Sequence, residues 1–208
     1  MGSMPSHTLT VGFDLDMTLI DSRPGIKAAY ETLAAETGVY IDTDLVVSRL
    51  GPPLEDEMVH WFPADAVAGA CARYRVIYPD TAITPSTALP GAREAVAAVQ
   101  ALGGRAMVVT AKYEPNAKLH LAHLGIDADV LIGGLWAEGK AEALLEHGAG
   151  IYVGDHIGDV RGAHAANALS VGVTTGPCAE EELRAAGAEV VLPDLLAFPD
   201  WLRTFAAA

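Results

Sequence analysis

Six short apolar runs, separated by stretches of helical period, constrain the fold of this chain more than any other feature. "TLTVGF" ends before Asp14, "RAMVVT" at Thr110, "ADVLIG" just past Ile132, "GIYVG" before Asp155, "LSVGVT" just past Val173 and "AEVVLP" just past Val191. Continuous apolar runs, rather than alternating ones, mark strands buried on both faces. Five intervening segments carry apolar residues at helical spacing: "GAREAVAAVQALGG", "EPNAKLHLAHLGI", "GKAEALLEHGA", "IGDVRGAHAANA" and "AEEELRAAGA". The alternation predicts βαβ units, hence an α/β, Rossmann-like three-layer core with a parallel sheet between two helical layers. Pro90 before Gly91, Pro115 after Glu114 and Gly125 after "AHL" sit where helices start and stop.

Residues 22–83 break this rhythm. "PGIKAAYETLAAETG" and "ADAVAGACARYRVIYPD" have helical period, and "RLGPPLED" reads as a Gly/Pro turn between them. The economical reading is a small α-helical cap inserted after the first strand, with residues 1–21 and 84–208 forming the core. Such a cap would close over a site and exclude water. The chain's 208 residues and 51% hydrophobic content suffice for a well-filled core plus an insertion.

In an open α/β sheet, ligands bind beyond the carboxyl ends of the strands. Following those ends gives Asp14 and Asp16, then Thr110 and Lys112, then Asp155 and Asp159, with Lys140 opening the helix after "ADVLIG". Several carboxylates and a hydroxyl, without a Cys or His cluster, favour a hard cation with oxygen ligands, and Mg²⁺ is the common choice beside phosphate. Asp14 would then attack phosphorus as a carboxylate nucleophile, Asp16 would move protons, and Lys140 and Thr110 would bind the transferring group. Each residue alone has an ordinary explanation as a turn acid, helix cap or solvated lysine. Their ordered combination makes the catalytic reading the stronger one.

The formal charge of −14, with no local Lys/Arg run, argues against nucleic acid and anionic membrane surfaces as partners. No apolar run approaches membrane-spanning length, and "MGSMPSHTL" lacks the basic start and apolar core of a signal peptide, Met4 reading as the native start. The cytoplasm is the expected location. Cys71 and Cys178 are far apart without a CxxC neighbour, which predicts buried thiols.

These residues resemble a family. "DLDMT" from Asp14 to Thr18, "VVT" ending at Thr110, Lys140 in "EGKAEAL", and "GDHIGD" from Gly154 to Asp159 are similar to the four ordered motifs of the haloacid dehalogenase superfamily. The helical insertion, "RLGPPLED" and "LPGAREAV" resemble its phosphoglycolate phosphatase-like branch. The resemblance implies a Mg²⁺-dependent phosphatase acting on a small phosphorylated metabolite, phosphoglycolate-like or a sugar phosphate, through an aspartyl phosphate. It makes Asp14 nucleophile and metal ligand, and Asp16 the acid/base with its backbone carbonyl on the metal. Thr110 matches the phosphate-binding hydroxyl, Lys140 the cation beside the nucleophile, Asp155 the second acidic ligand and Asp159 the last acid.

The alternatives are a phosphomutase of the same fold, a 2-haloacid dehalogenase, disfavoured by an acid at Asp16, and a non-catalytic phosphate-binding regulator, disfavoured by intact Asp14, Asp16 and Lys140. Lys112 and Arg49 are candidates for binding an anionic substrate, with Arg23 a further loop cation. His120 and His123 are spaced as a metal pair but lack a third ligand, so a structural role is expected; His156 is expected to border the site. Trp61, Phe62, Tyr74 and Tyr78 are expected to pack the cap. Met17 stands where relatives often have Gly, and is expected to keep an ordinary backbone and line the pocket. Asn167 likewise stands at a frequent Gly position, which touches packing more than catalysis. A monomer and a homodimer are both compatible with this composition.

Overall fold

The computed structural model describes residues 9–207. The expected start of the first strand at Thr8 and the reading of Met4 lie outside the described residues. The first strand, β1 (Thr10–Phe13), is followed by a two-residue strand β2 (Ile20–Asp21) and four helices: α1 (Arg23–Thr37), α2 (Thr43–Ser48), α3 (Leu54–Met58) and α4 (Ala64–Thr81). A second short strand, β3 (Thr87–Ala88), returns the chain to the alternating series. That series runs α5 (Ala92–Ala101), β4 (Arg105–Val109), α6 (Glu114–Leu124), β5 (Val130–Ile132), a 3₁₀ turn (Ala137–Lys140), α7 (Ala141–Glu146) and β6 (Ile151–Gly154). It ends with α8 (Ile157–Ala165), β7 (Leu169–Val173), α9 (Glu180–Ala185), β8 (Val190–Leu192) and α10 (Phe198–Ala206).

The six apolar runs form one parallel sheet in the order β5-β4-β1-β6-β7-β8. β1 therefore lies inside the sheet, with Thr110 at the end of one neighbour and Asp155 at the end of the other. Side chains alternate across it: Val11, Phe13 and Val108 enter a cluster with α5 and α10, while Met107, Val109 and Tyr152 enter a second with α7 and α8. Both faces are dry, which explains the absence of polar alternation in the strand sequences. Helix ends follow local chemistry. Asp42 caps α2 by accepting from the Leu45 N–H at 3.0 Å, and Gly38 (φ 69°) and Gly125 (φ 62°) end α1 and α6 in the left-handed region.

Helices α1–α4 pack around a cluster of their own, including Tyr30, Leu33, Met58, Tyr74 and Tyr78. Phe62 is buried there as well, whereas Trp61 is half-buried and donates its indole N–H to Glu57 at 2.7 Å. The insert leaves and rejoins the core at one place, because β2 and β3 pair antiparallel with Ile20 opposite Ala88 and Asp21 opposite Thr87. Arg23, at the start of α1, is turned to Asp21 at 2.7 Å.

Met17 departs from its expected ordinary backbone. Its φ is +62°, and its side chain is buried in the protein rather than facing the cavity. The turn after β1 dictates this: the Leu15 carbonyl accepts from Leu19 and Ile20, and the Met17 N–H donates to the Ile20 carbonyl at 2.8 Å. The Met17 carbonyl in turn accepts from the Thr175 hydroxyl at 2.6 Å. The left-handed conformation costs a non-glycine residue about 1 kcal/mol, which burial of the thioether side chain offsets. Asn167 adopts the same region (φ 54°) at an exposed helix end, where asparagine tolerates it.

Candidate active site

The ends of β1, β4 and β6 bring Asp14, Thr110 and Asp155 to one rim, and the 3₁₀ turn brings Lys140 beneath them. Carboxylate oxygens of Asp14, Asp155 and Asp159 all lie within 4.8 Å of one another, and all three residues are buried. Burial raises the Asp14 pKa from 3.8 to about 7; Lys140 pulls it down, while Asp159 and Asp16 add to the rise. Asp155 is pushed up strongly by burial, then by the charges of Asp159 and Asp14.

Among the described residues, one ammonium is embedded in this group. Lys140 is fully buried and spends its three N–H donors on Asp14 Oδ1 (2.8 Å), Asp159 Oδ1 (2.7 Å) and the Tyr152 hydroxyl (2.7 Å). Its acidic neighbours outweigh burial and hold its pKa above the usual lysine value. Three clustered carboxylates facing one ammonium leave negative charge uncompensated, so oxygen donors of this kind fit a hard divalent cation such as Mg²⁺.

The supports of this cluster are specific. The Thr18 hydroxyl donates to Asp155 Oδ1 at 2.7 Å. Asp159 Oδ2 accepts from the His156 N–H at 3.1 Å while His156 Nδ1 accepts from the Gly158 N–H at 3.0 Å, forming a capping box at the start of α8. His156 thus borders the site as a helix cap, its ring against Trp136 at a centroid distance of 5.0 Å. Gly176 lies so close that a β-carbon there would sit 1.7 Å from Asp155 Oδ2.

Asp16 turns away from the triad. Its Oδ1 faces Lys112 Nζ at 3.0 Å and accepts a very short hydrogen bond from the Ser22 hydroxyl. Any part Asp16 takes in metal binding therefore falls to its backbone carbonyl. Lys112 also donates to the Tyr78 hydroxyl at 2.7 Å, which leaves that hydroxyl's own hydrogen for His120 Nε2 at 3.0 Å. This chain of polar contacts joins the core to helix α4 of the insert. His120 is buried, and desolvation first, then the Lys112 charge, lowers its pKa to about 4.

A cavity of about 320 Å³ opens between the insert and the sheet rim, lined at its floor by Asp14, Asp16 and Thr110. Arg49 and Lys112 also line it, but neither ion is free. Arg49 makes a two-pronged pair with Glu57 at 2.8 and 2.7 Å. "RLGPPLED" does face the cavity through Leu50 to Glu55, and Gly51 (φ 138°) packs against the His156 and Trp136 rings, where a β-carbon would lie 3.0 Å from each. Sequence reasoning missed Ser22, Tyr152, Thr175 and Gly176 as supports of the site. Only Tyr152 carried a signal, a hydroxyl inside an otherwise apolar strand.

Comparisons with known proteins place the chain among known relatives. A family model described as "Haloacid dehalogenase-like hydrolase" matches residues 11–173. Tyrosine-protein kinase PtkA of Mycobacterium tuberculosis is 28% identical over 167 residues, covering 74% of this chain but 57% of that protein's length. Phosphoglycolate phosphatase of Neisseria gonorrhoeae is 30% identical over 200 residues, covering 85% of this chain and 84% of the relative. A solved structure described as a predicted phosphatase from Clostridium acetobutylicum superposes with a TM-score of 0.82 at 25% identity, covering 96% of this chain and all of the other.

Proposed function

The chain belongs to the haloacid dehalogenase-like hydrolases, and from that membership we propose that it is a Mg²⁺-dependent phosphatase of a small phosphomonoester, acting through an aspartyl phosphate. The observation that carries the reading is the division between two acids two residues apart. Asp14 is held by Lys140 within the carboxylate triad, while Asp16 faces Lys112 and Ser22, and both acids line the cavity.

In the first half-reaction a carboxylate oxygen of Asp14 bonds to phosphorus as the bond from phosphorus to the ester oxygen breaks. Asp16 gives its proton to the departing alkoxide, releasing an alcohol. Asp16, now a carboxylate, then takes a proton from water as that water attacks phosphorus. The acyl phosphate bond breaks, inorganic phosphate leaves and the Asp14 carboxylate is restored. The Thr110 hydroxyl is set to donate to a phosphoryl oxygen, and Lys140 offsets the charge beside Asp14. Asp14, Asp155 and Asp159, with the Asp16 carbonyl, would hold Mg²⁺, which supplies charge neutralisation for the transferring phosphoryl group. Residues 22–83 serve in this reading as the cap that excludes water. Its setting is the cytoplasm; among the described residues, no helix is long and apolar enough to cross a membrane.

The test is release of inorganic phosphate from a panel of small phosphate esters, with and without Mg²⁺. Turnover that a chelator abolishes supports the reading. Isomerisation without release would replace it with a phosphomutase, and inactivity towards every ester would overturn it.

A further inference from the structure

The cavity's upper wall speaks to the part of the substrate that leaves. It is built from Tyr30, Tyr74 and Tyr78, whose rings contact in series at centroid distances of 4.7 and 5.4 Å, together with apolar residues such as Ile26 and Val46. The hydroxyls of Tyr30 and Tyr74 have no hydrogen-bond partner among the described residues, although both residues are more than nine-tenths buried and line the cavity. Burial holds both phenols well above their usual pKa, so they are neutral donors and acceptors at any physiological pH.

The cations of the same wall are already matched. Arg49 is paired with Glu57 in the two-pronged arrangement and lies over the Trp61 ring at 5.9 Å. Arg75 pairs with Glu55 at 2.6 Å and lies over Tyr113 at 5.4 Å, and its unpartnered Nε is sealed from solvent. Lys112 is taken by Asp16 and Tyr78. Arg49 and Arg75 thus each have their own carboxylate, Lys112 being held by Asp16 and the Tyr78 hydroxyl, and a second anion entering against this wall would meet Glu55 and Glu57 without a free arginine to balance it. Like charges brought together in such a site are strongly disfavoured.

We infer that the leaving group of the substrate is an uncharged alcohol with a flat or apolar face, seated on the Tyr30–Tyr74–Tyr78 wall and hydrogen-bonded by the Tyr30 and Tyr74 hydroxyls, and that a carboxylate-bearing ester is rejected. The inference rests on the phosphatase reading for the orientation of the ester, with its phosphate on the sheet rim.

Two matched pairs of esters test it: 2-hydroxyethyl phosphate against 2-phosphoglycolate, and phenyl phosphate against 4-carboxyphenyl phosphate. With Mg²⁺, the neutral member of each pair is expected to have a kcat/KM about tenfold or more above its carboxylate partner. Glu57→Gln, which leaves Arg49 with an unmatched charge, should shift both ratios towards the carboxylates. Calorimetric binding of the same pairs to Asp14→Asn reads the preference without turnover, so that an inactive enzyme with a clear neutral preference would sink the phosphatase reading alone. Equal or tighter binding and turnover of the carboxylate esters by the wild-type protein would overturn the inference.

Discussion

The Nζ of Lys140 lies 2.8 Å from Oδ1 of Asp14, with both residues buried. Removing that ammonium leaves Asp14, Asp155 and Asp159 without their shared cation. Lys140→Met should therefore destabilise the metal-free protein by about 3–5 kcal/mol, seen as a lower denaturant midpoint. It should also reduce kcat by about 100-fold or more at saturating Mg²⁺. Wild-type stability in the variant would mean that the triad tolerates its own repulsion.

The two acids should fail differently. Asp14→Asn keeps the shape of the side chain and should abolish phosphate release while circular dichroism stays native. Asp16→Ala should slow an alkyl phosphate by about 10²–10⁴-fold, and p-nitrophenyl phosphate far less, since nitrophenolate leaves without a proton. An equal loss on both esters would remove Asp16 from the role of acid.

Gly176 offers a way to loosen the proposed metal site without replacing a carboxylate. A β-carbon there would overlap Asp155 Oδ2, forcing the carboxylate to turn and give up its 2.7 Å bond from Thr18. Mg²⁺ should raise the melting temperature of the wild-type protein, and a chelator should reverse that rise. Gly176→Ala should need about tenfold or more Mg²⁺ for the same shift. An unchanged titration would show that Asp155 does not bind the ion.

His120 predicts a dependence of stability on pH. Its pKa falls from 6.5 to about 4 on folding, so between those values the unfolded chain binds the extra proton and the folded chain does not. The stability it contributes is complete above about pH 6.5 and is lost as pH falls towards 4. Between pH 7 and pH 5 the wild-type protein should lose about 2 kcal/mol more than His120→Leu, measured by urea unfolding. Parallel losses in the two proteins would mean that His120 titrates normally in the fold.

How much of this was legible in the sequence depended on whether a feature is local. The six strands could be read because both sheet faces are dry, which makes each strand a plain apolar run. The acids and Thr110 could be read because strand ends in such a sheet share one rim, and Lys140 because its motif stands in order with theirs. The link from Asp16 through Lys112 and Tyr78 to His120 could not, since it joins residues distant in sequence through the packing of α4 on the core. Strands β2 and β3 are too short to show any period, whereas α10, beyond the last apolar run, does carry a start signal in Pro199 and Asp200 of its first turn. Met17 misled because the expectation weighed its intrinsic dislike of positive φ, whereas the turn's hydrogen bonds and its own burial decide the conformation.

The pairing of Ile20 with Ala88 and of Asp21 with Thr87 has a consequence for how this protein can change. Everything from residue 22 to residue 86 enters and leaves through one doorway, so the register of the large sheet is indifferent to how long that passage is. Closing a longer loop across a fixed gap adds only about 0.6 kcal/mol for each doubling of its length. If the proposed reading holds, what recognises the departing alcohol and what breaks the phosphate bond are written in largely separable stretches of chain, and the first can be rewritten, lengthened or exchanged while the second stays in place.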